Sequence, residues 1–196
     1  MEVTASPLPA VATTESQRDR RQRILRVATE LLEEREYERI QIRDIADAAG
    51  VALGTLYRYF PSKEQLFANV LLEWGTSFES AVSRRVGDAA SDAERLKFAL
   101  RRSVRAFEKR PNFFRLITVL EVVQDPNVAG PYAAYAERIE RTLADTLVDT
   151  DPDDAVVVTA TVRALLGSVL RGWSHGRYSL AEVRRILDRA VDLLLA

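Results

Sequence analysis

The chain has 196 residues, of which 47% are hydrophobic, and its 28 basic and 29 acidic side chains give a net charge of −1. This size and composition suit one globular domain, or a small domain joined to a larger one. Cysteine is absent and His175 is the only histidine, which excludes a disulfide framework, a thiolate metal site and a multi-histidine metal site. We therefore expect no metal and no cofactor.

Residues 1–16 are rich in Ala, Thr, Ser and Pro, and they are predicted to form a disordered arm. This segment lacks the basic start and apolar centre of a signal peptide. No apolar run in the sequence approaches the about 20 residues that span a bilayer. We therefore expect a cytoplasmic protein that does not enter a membrane.

A first helix is predicted from about Arg18 to Arg35, because its apolar residues recur at helical spacing. Its start carries a basic cluster, opposed only by Asp19, that consists of Arg18, Arg20, Arg21, Arg23 and Arg26. A solvated helix face explains Arg26. For the other four arginines we favour contact with DNA phosphates over solvation, since nucleic-acid binding depends on local rather than total charge.

Residues 42–63 predict two short helices, at about 42–49 and 53–59, around a turn at Gly50. Glycine relieves the left-handed conformation that ends many helices. Pro61 then stops the second helix. This arrangement is typical of a helix-turn-helix, whose second helix lies in the DNA major groove.

The second helix of the motif carries groups that bind DNA. Phenols, hydroxyls and guanidinium groups bond phosphates and base edges, and a glycine lets the backbone approach the duplex. A capping box of Ser62 and Gln65 is predicted to start the next helix, where Lys63 would share a phosphate with free backbone N–H groups. The alternative is that Tyr57 and Tyr59 are core aromatics and Arg58 is a solvated charge.

The segment from Gly54 to Phe60, followed by Ser62, Lys63 and Glu64, resembles the DNA-binding domain of TetR-family repressors. The likeness covers roughly Gln22 to Phe67. One departure is Gln41, which stands where many members have a threonine that caps the first motif helix and touches a phosphate. The residues 40–43 and 51–63 are also similar to the actinobacterial branch that represses sterol catabolism.

The resemblance implies a protein that binds a near-palindromic double-stranded DNA operator and responds to a small molecule. We expect Leu53 and Arg58 to read bases, and Tyr57, Tyr59 and Lys63 to hold phosphates. The full set of expected DNA contacts is Arg18, Arg21, Gln41, Arg43, Leu53, Gly54, Thr55, Tyr57, Arg58, Tyr59 and Lys63.

The remaining segments are predicted to be helical, which makes the chain all-α with about nine helices. A fourth helix runs from Lys63 to about Arg85, and others occupy about 92–110, 112–123, 131–148, 153–173 and 180–195. We expect residues 17–63 to form an N-terminal three-helix DNA-binding domain. Residues 64–196 would form a C-terminal domain for effector binding and dimerisation.

The helix predicted at 153–173 is apolar nearly all round, and the last helix carries a wide apolar stripe. Together they favour a homodimer in which these helices pack on their copies as a four-helix bundle. A dimer also suits a helix-turn-helix that reads two half-sites. The alternative is an intramolecular core. The expected interface residues are Val162, Leu166, Val169, Leu170, Val183, Ile186, Leu187 and Val191.

Aromatic residues are spread over several C-terminal helices. Each suits a plain core, but together they suit a pocket for a small apolar ligand, where TetR-like proteins bind their effectors. Nearby polar residues would orient a polar group of that ligand. The candidate effector residues are Trp74, Phe78, Phe98, Arg102, Phe114, Thr118, Glu121, Tyr132, Tyr135 and Arg163, and Arg105 and Thr159 are further polar candidates. The sterol-branch likeness implies a large apolar effector, carried as a free molecule or as a coenzyme A thioester.

The interpretation that follows is a homodimeric repressor that a small apolar effector releases from its operator. An activator or a ligand-independent DNA-binding protein of the same fold is the alternative. Catalysis is not expected, because the chain offers no thiol nucleophile and places His175 beyond a helix end. Its Gly50–Gly54 segment also lacks the Lys-Ser/Thr of a phosphate-binding loop.

Overall fold

The computed structural model describes residues 14–83 and 91–196, and for residues 77–83 it describes the backbone alone. This described part contains nine α-helices, one short 3-10 helix at Tyr37–Arg39 and no strand, which confirms the all-α prediction. The helices are α1 Glu15–Glu34, α2 Ile42–Ala48, α3 Leu53–Tyr59, α4 Lys63–Ser83, α5 Asp92–Lys109, α6 Pro111–Leu120, α7 Pro126–Ala144, α8 Pro152–Ser174 and α9 Leu180–Leu194.

Helix α1 begins earlier than predicted. The Thr14 hydroxyl accepts a hydrogen bond from the Gln17 N–H, and the Gln17 side chain accepts one from the Thr14 N–H. This reciprocal capping box draws residues 15–17 into the helix. The predicted disordered arm, residues 1–16, is therefore wrong for its last residues, and residues 1–13 lie outside the described part.

Helix α7 also begins earlier than predicted. Its start is Asp125, whose carboxylate accepts the Asn127 N–H at 2.8 Å and whose carbonyl accepts from Val128 and Ala129. Proline at the first helical position needs no N–H partner, so Pro126 suits this start. Pro131, which we expected to begin the helix, lies inside it. The predicted starts of α5, α8 and α9 at Ser91, Asp151 and Ser179 are confirmed.

The described chain forms two compact units, which divide within α4 and within α7. The first unit extends to Trp74 and includes Asn112–Tyr135, while the second comprises Gly75–Pro111 and Ala136–Ala196. This division differs from the domain boundary that we expected after residue 63. Compactness of the chain does not decide where the DNA-binding domain ends, so that boundary stays a prediction. In the first unit the core residues Leu25, Ile45, Leu56 and Phe67 are fully buried.

The second unit packs α9 against both α5 and α8. Three exposed ion pairs bridge α5 and α9: Lys97 with Asp192, Arg101 with Asp188 at 2.7 Å, and Glu108 with Arg184 at 2.6 Å. Beneath them, the apolar faces of α8 and α9 pack within the chain.

The residues expected at the dimer interface are used in this intramolecular packing. Seven of the eight are buried within the single chain, and Ile186 is half-buried. The reason is that α9 lies between α5 and α8, so their apolar stripes cover one another. The alternative of an intramolecular core therefore describes the packing of these side chains in the single chain, with Ile186 still partly accessible, and the dimer interface stays a prediction.

Helix α8 qualifies by length and composition as a membrane-crossing segment, and it is the one helix of the described part that does so. Of its most apolar stretch, 39% is buried inside the structure. The side chains of Val158, Val162 and Leu166 are among those buried. Core helices of globular proteins can be as long and as apolar as a membrane span. Because α8 buries these side chains inside the protein, we interpret it as a core helix.

A buried acidic residue fastens the α7–α8 connection to the start of α5. The Asp92 carboxylate is 7% exposed, and it accepts hydrogen bonds from Arg95, Thr150 and the backbone of Val148 and Asp149. Burial alone would raise the pKa of this carboxyl. The hydrogen bonds, that from Thr150 first, outweigh burial and hold the pKa below its ordinary value.

Replacing Asp92→Asn is expected to lower the free energy of unfolding at pH 7 by about 2 kcal/mol, because buried hydrogen bonds to a charged group are lost. A lowered folded-state pKa contributes stability above the unfolded value of about 4, and this stability is lost as the pH falls through the folded value. The difference between wild type and variant should therefore shrink in acid. Urea unfolding between pH 7 and pH 3 measures it.

The exposed Asp145→Asn variant, from the same connection, is the control and should be as stable as wild type at pH 7. Equal stability of the Asp92 and Asp145 variants at pH 7 would contradict the role given to Asp92.

Candidate nucleic-acid interface

The turn between α2 and α3 has the geometry expected of a helix-turn-helix. Gly50 adopts a left-handed conformation with φ of +63°. The Val51 N–H donates to the Ala46 carbonyl at 3.0 Å and the Gly50 N–H to the Asp47 carbonyl at 3.1 Å. These bonds close the end of α2 in the manner of a left-handed helix cap. The predicted glycine-centred turn is confirmed.

Helix α3 has one buried face and one exposed face. Leu56 and Phe60 are at most 1% exposed, whereas Tyr57 is 44% exposed. The exposed side also carries Gly54 and Arg58, with Leu53 and Thr55 half-buried beside them. Among the described residues, a Cβ added at Gly54 would meet no atom within 4 Å outside its own helix backbone. Internal packing therefore does not require this glycine.

Tyr59 does not lie on the exposed side. It is 3% exposed, and its hydroxyl has no hydrogen-bond partner within the described structure. The Arg58 guanidinium lies 5.8 Å from the centre of its ring. In the unbound chain Tyr59 is thus a core aromatic, because it lies three residues after Leu56 on the buried face of α3. Tyr57, by contrast, is exposed and is therefore not a core aromatic.

Lys63 has a partner within the chain. Its ammonium donates to the Tyr37 carbonyl and lies 4.0 Å from the centre of the Tyr37 ring. The Tyr37 hydroxyl donates to Glu64 at 2.8 Å, so the 3-10 helix and the start of α4 hold each other. Burial lowers the pKa of Lys63, and it also raises the pKa of Tyr37, with Glu64 adding to the rise.

The capping box predicted at this helix start is half formed. The Ser62 hydroxyl accepts from the Gln65 N–H at 3.1 Å. Gln65 does not return the bond, and its buried side-chain oxygen has no partner in the part of the chain described. At the start of α2, the Gln41 side chain makes no capping bond. Gln41 and Arg43 are both exposed beside the motif.

The arginines of α1 differ in their contacts. Arg21 donates to Asn69 of α4 at 2.7 Å, lies 3.8 Å from Glu73, and places its guanidinium 5.2 Å from the centre of the Phe60 ring. Burial raises the pKa of Glu73 against the opposing effect of Arg21. Arg21 therefore joins α1 to α4 in the unbound chain, a contact that sequence reasoning missed because it links distant residues.

Two other arginines of the cluster also have partners. Arg23 donates through Nε to the Ala49 carbonyl at 2.8 Å, and the exposed Arg26 pairs with Glu30 on its own helix at 3.3 Å. Arg18 is exposed and Arg20 half-buried.

The candidate effector residues fall in both units. In the first unit, Tyr135 is 6% exposed with its ring centre 6.3 Å from that of Tyr132. Trp74 has its ring centre 5.0 Å from that of Phe113, and Phe114 is 4% exposed. Burial raises the pKa of Tyr135.

The polar candidates differ in their surroundings. The Thr118 hydroxyl donates to a carbonyl of its own helix, Glu121 is exposed, and the exposed Arg163 lies 3.6 Å from Glu140.

In the second unit, the Arg102 guanidinium lies 5.9 Å from the centre of the Phe98 ring. The Arg102 Nε and the Thr159 hydroxyl are buried without hydrogen-bond partners in the described structure. The side chain of Phe78 lies outside the described residues.

A left-handed turn between two short helices, with basic and phenolic side chains exposed on the second, defines a helix-turn-helix DNA-binding regulator. Comparison with known proteins specifies the family. The model for bacterial regulatory proteins of the tetR family matches residues 24–70, and that for the tetracyclin repressor-like C-terminal domain matches residues 89–194. The chain belongs to the TetR family of transcriptional regulators.

Individual relatives match nearly the whole chain. It is 31% identical over 183 residues to the HTH-type transcriptional repressor KstR of Mycobacterium tuberculosis, covering 93% of this chain and 83% of that protein. A TetR regulator from Rhodococcus sp. RHA1 superposes with a TM-score of 0.77 at 27% identity, covering 93% of this chain and 98% of that one.

A more distant structure has the same fold. The Thermus thermophilus repressor FadR, solved in complex with lauroyl-CoA, superposes with a TM-score of 0.71 at 22% identity, covering 89% of this chain and 93% of that one.

The substitution Tyr57→Phe is expected to weaken operator binding about tenfold while leaving the melting temperature unchanged. The exposed hydroxyl would bond a phosphate, and it makes no hydrogen bond within the described residues. The measurement is a gel shift at constant salt, on DNA that the wild-type protein selects from a random library. Tyr178→Phe, which removes another exposed phenol from the second unit, serves as the control. Unchanged affinity of the Tyr57 variant would refute the phosphate contact.

Proposed function

We propose that this protein is a cytoplasmic, homodimeric repressor that leaves a near-palindromic operator when a large apolar effector binds its C-terminal helices. The observation that carries the proposal is the 31% identity to the repressor KstR over 93% of the chain, which includes both the DNA-binding and the C-terminal segments. Repression is tested with a reporter gene placed behind the selected operator. Transcription should fall when the protein is supplied and return when the effector is added.

The proposed DNA surface follows from the exposure of α3 and its surroundings. Arg58 and Leu53 would read bases, and Tyr57 would hold a phosphate. Gly54 would let the backbone approach the duplex, since the space beside it is open. Exposed neighbours complete the surface, namely Arg18, Gln41, Arg43 and Thr55 at its half-buried edge. Arg21, Tyr59 and Lys63 would contribute to DNA binding only after leaving their partners or buried positions.

The proposed dimer surface is a stripe on α8 that the chain leaves uncovered. Its members are exposed and recur three or four residues apart: Val157, Ala160, Thr161, Ala164 and Ser168. Val157 is the large apolar member of this stripe and is 61% exposed. Small side chains allow two helices to approach closely, and a two-fold axis would set the stripe against its copy.

The variant Ala164→Arg is therefore expected to convert a dimer into a monomer, because a two-fold axis would bring two guanidinium groups together. Sedimentation velocity at micromolar concentration measures the mass. The matched control is Ala133→Arg, at an exposed alanine of α7 in the first unit. A variant that stays dimeric, or a wild-type protein that is monomeric throughout, would overturn the proposed surface.

The effector proposal is supported by two buried polar groups of the second unit. The Thr159 hydroxyl and the Arg102 Nε lack partners in the described structure, and an unpaired buried polar group is destabilising. Such groups would gain a partner if a ligand placed a carbonyl or anionic oxygen beside them. Aromatic residues of the same unit, such as Phe98, would contact the apolar part of the ligand.

The substitution Thr159→Val is expected to leave the melting temperature of the unliganded protein unchanged or higher, since valine removes an unpaired hydroxyl at constant volume. Effector binding should weaken about fivefold, the effect of one hydrogen bond. The measurement is the thermal shift produced by a sterol, by the coenzyme A thioester of a sterol with a side-chain carboxyl group and by lauroyl-CoA, with coenzyme A alone as the probe of the head group.

Thr142→Val is the matched control, because the Thr142 hydroxyl is equally buried but donates to the Arg138 carbonyl of its own helix at 2.8 Å. Its ligand response should equal that of wild type. If neither sterols nor acyl thioesters stabilise the wild-type protein, the proposed effector class is wrong.

A further inference from the structure

Arg23 makes a contact that reaches across the DNA-binding motif. From α1, its Nε donates to the Ala49 carbonyl at 2.8 Å. Ala49 is the residue that ends α2, it is 2% exposed, and it immediately precedes the left-handed Gly50. A side chain from one helix thus holds the backbone at the point where the next two helices join.

The contact gives a hydrogen-bond donor to a backbone oxygen that receives none from the helix-turn-helix itself. The last carbonyls of a helix have no partners within it. At the end of α2, the turn supplies N–H donors to Ala46 and Asp47 through Val51 and Gly50. Neither of these N–H groups donates to the Ala49 carbonyl, which accepts its hydrogen bond from the Arg23 guanidinium. The positive charge of Arg23 is also favourable at the negative C-terminal end of a helix.

The bond to the Ala49 carbonyl oxygen also affects the orientation of the chain that follows. The Ala49 carbonyl and the Gly50 N–H belong to one planar peptide group, so fixing the oxygen fixes that plane. The left-handed turn and then α3 begin from this plane. The orientation in which α3 leaves the turn therefore depends on a bond from α1.

We propose that Arg23 is a positioning residue for operator recognition, which acts through the Ala49 carbonyl to set the orientation of α3 and does not act by contacting a phosphate. The proposal rests on the DNA-binding function of the family and is independent of the effector and of the dimer surface.

Two substitutions separate the bond from the charge. In glutamine the side-chain Nε2 lies as many bonds from the backbone as the arginine Nε, so Arg23→Gln keeps an N–H donor at the same reach without the charge. Arg23→Met has a similar length and no donor. Binding is measured on DNA selected by the wild-type protein from a random library, and on unrelated DNA of equal length.

The expected result is that Arg23→Gln binds the selected DNA within about twofold of wild type, while Arg23→Met binds it about tenfold more weakly, as for a lost hydrogen bond to a charged group. Affinity for unrelated DNA should be the same in both variants. A structural role alone gives a different result, because partial unfolding would weaken binding to both DNAs in proportion. The ratio of the two affinities is therefore the deciding measurement.

Arg26→Gln is the matched control for charge. Arg26 lies on the same helix, is exposed, and pairs only with Glu30 of that helix among the contacts described. Arg23→Gln and Arg26→Gln should show the same dependence of log affinity on log salt.

Three outcomes would overturn the proposal. Equal losses in the Gln and Met variants, with a salt slope shallower by about 1 than in Arg26→Gln, would make Arg23 a phosphate contact. Unchanged binding in both variants would show that the bond to Ala49 is dispensable. A proportional loss on selected and unrelated DNA would reduce its role to stability.

Discussion

A recognition helix of seven residues cannot support itself, and the rest of the first unit follows from that constraint. Isolated helices shorter than about 12 residues are marginal in water. Helix α3 has no side-chain cap at Ala52, and it is held through Leu56, Tyr59 and Phe60, which are almost fully buried. Tertiary packing therefore stabilises this helix and also fixes its orientation. The surrounding helices supply that packing, and so the core beneath α3 orients its exposed face, which is the proposed DNA surface.

The fold was largely predictable because its determinants are local. The capping signals at Ser91, Asp151 and Ser179, and the glycine at position 50, lie within a few residues of the structure that they specify. The start of α7 was missed although Asp125 and the following proline repeat the signal that was recognised at Asp151. Its interior Gly130-Pro131 pair is an equally strong start signal, and only the capping bonds of the folded chain distinguish the two.

The candidate site was less predictable than the fold. The exposure of Tyr57 and Arg58 follows from helical periodicity, because the apolar residues of α3 define its buried face. Burial of Tyr59 does not follow, since a tyrosine suits either environment. The partners of Arg21 and Arg23 lie on other helices, at sequence distances of 48 and 26 residues. No pattern along the chain indicates such contacts, so a basic cluster that suggested one electrostatic surface proved to contain arginines with separate structural roles.

The ion pairs between α5 and α9 have a consequence for the alignment of these helices. Each exposed ion pair contributes little free energy. The order of the charged residues along the contact between α5 and α9 nevertheless favours one alignment of the two helices. If α9 slid by four residues in one direction, Arg101 would face Arg184, and in the other direction Glu108 would face Asp188. Either slip replaces an attraction with a repulsion. The charges thus favour the observed register over a displacement of one turn, although each pair contributes little free energy by itself.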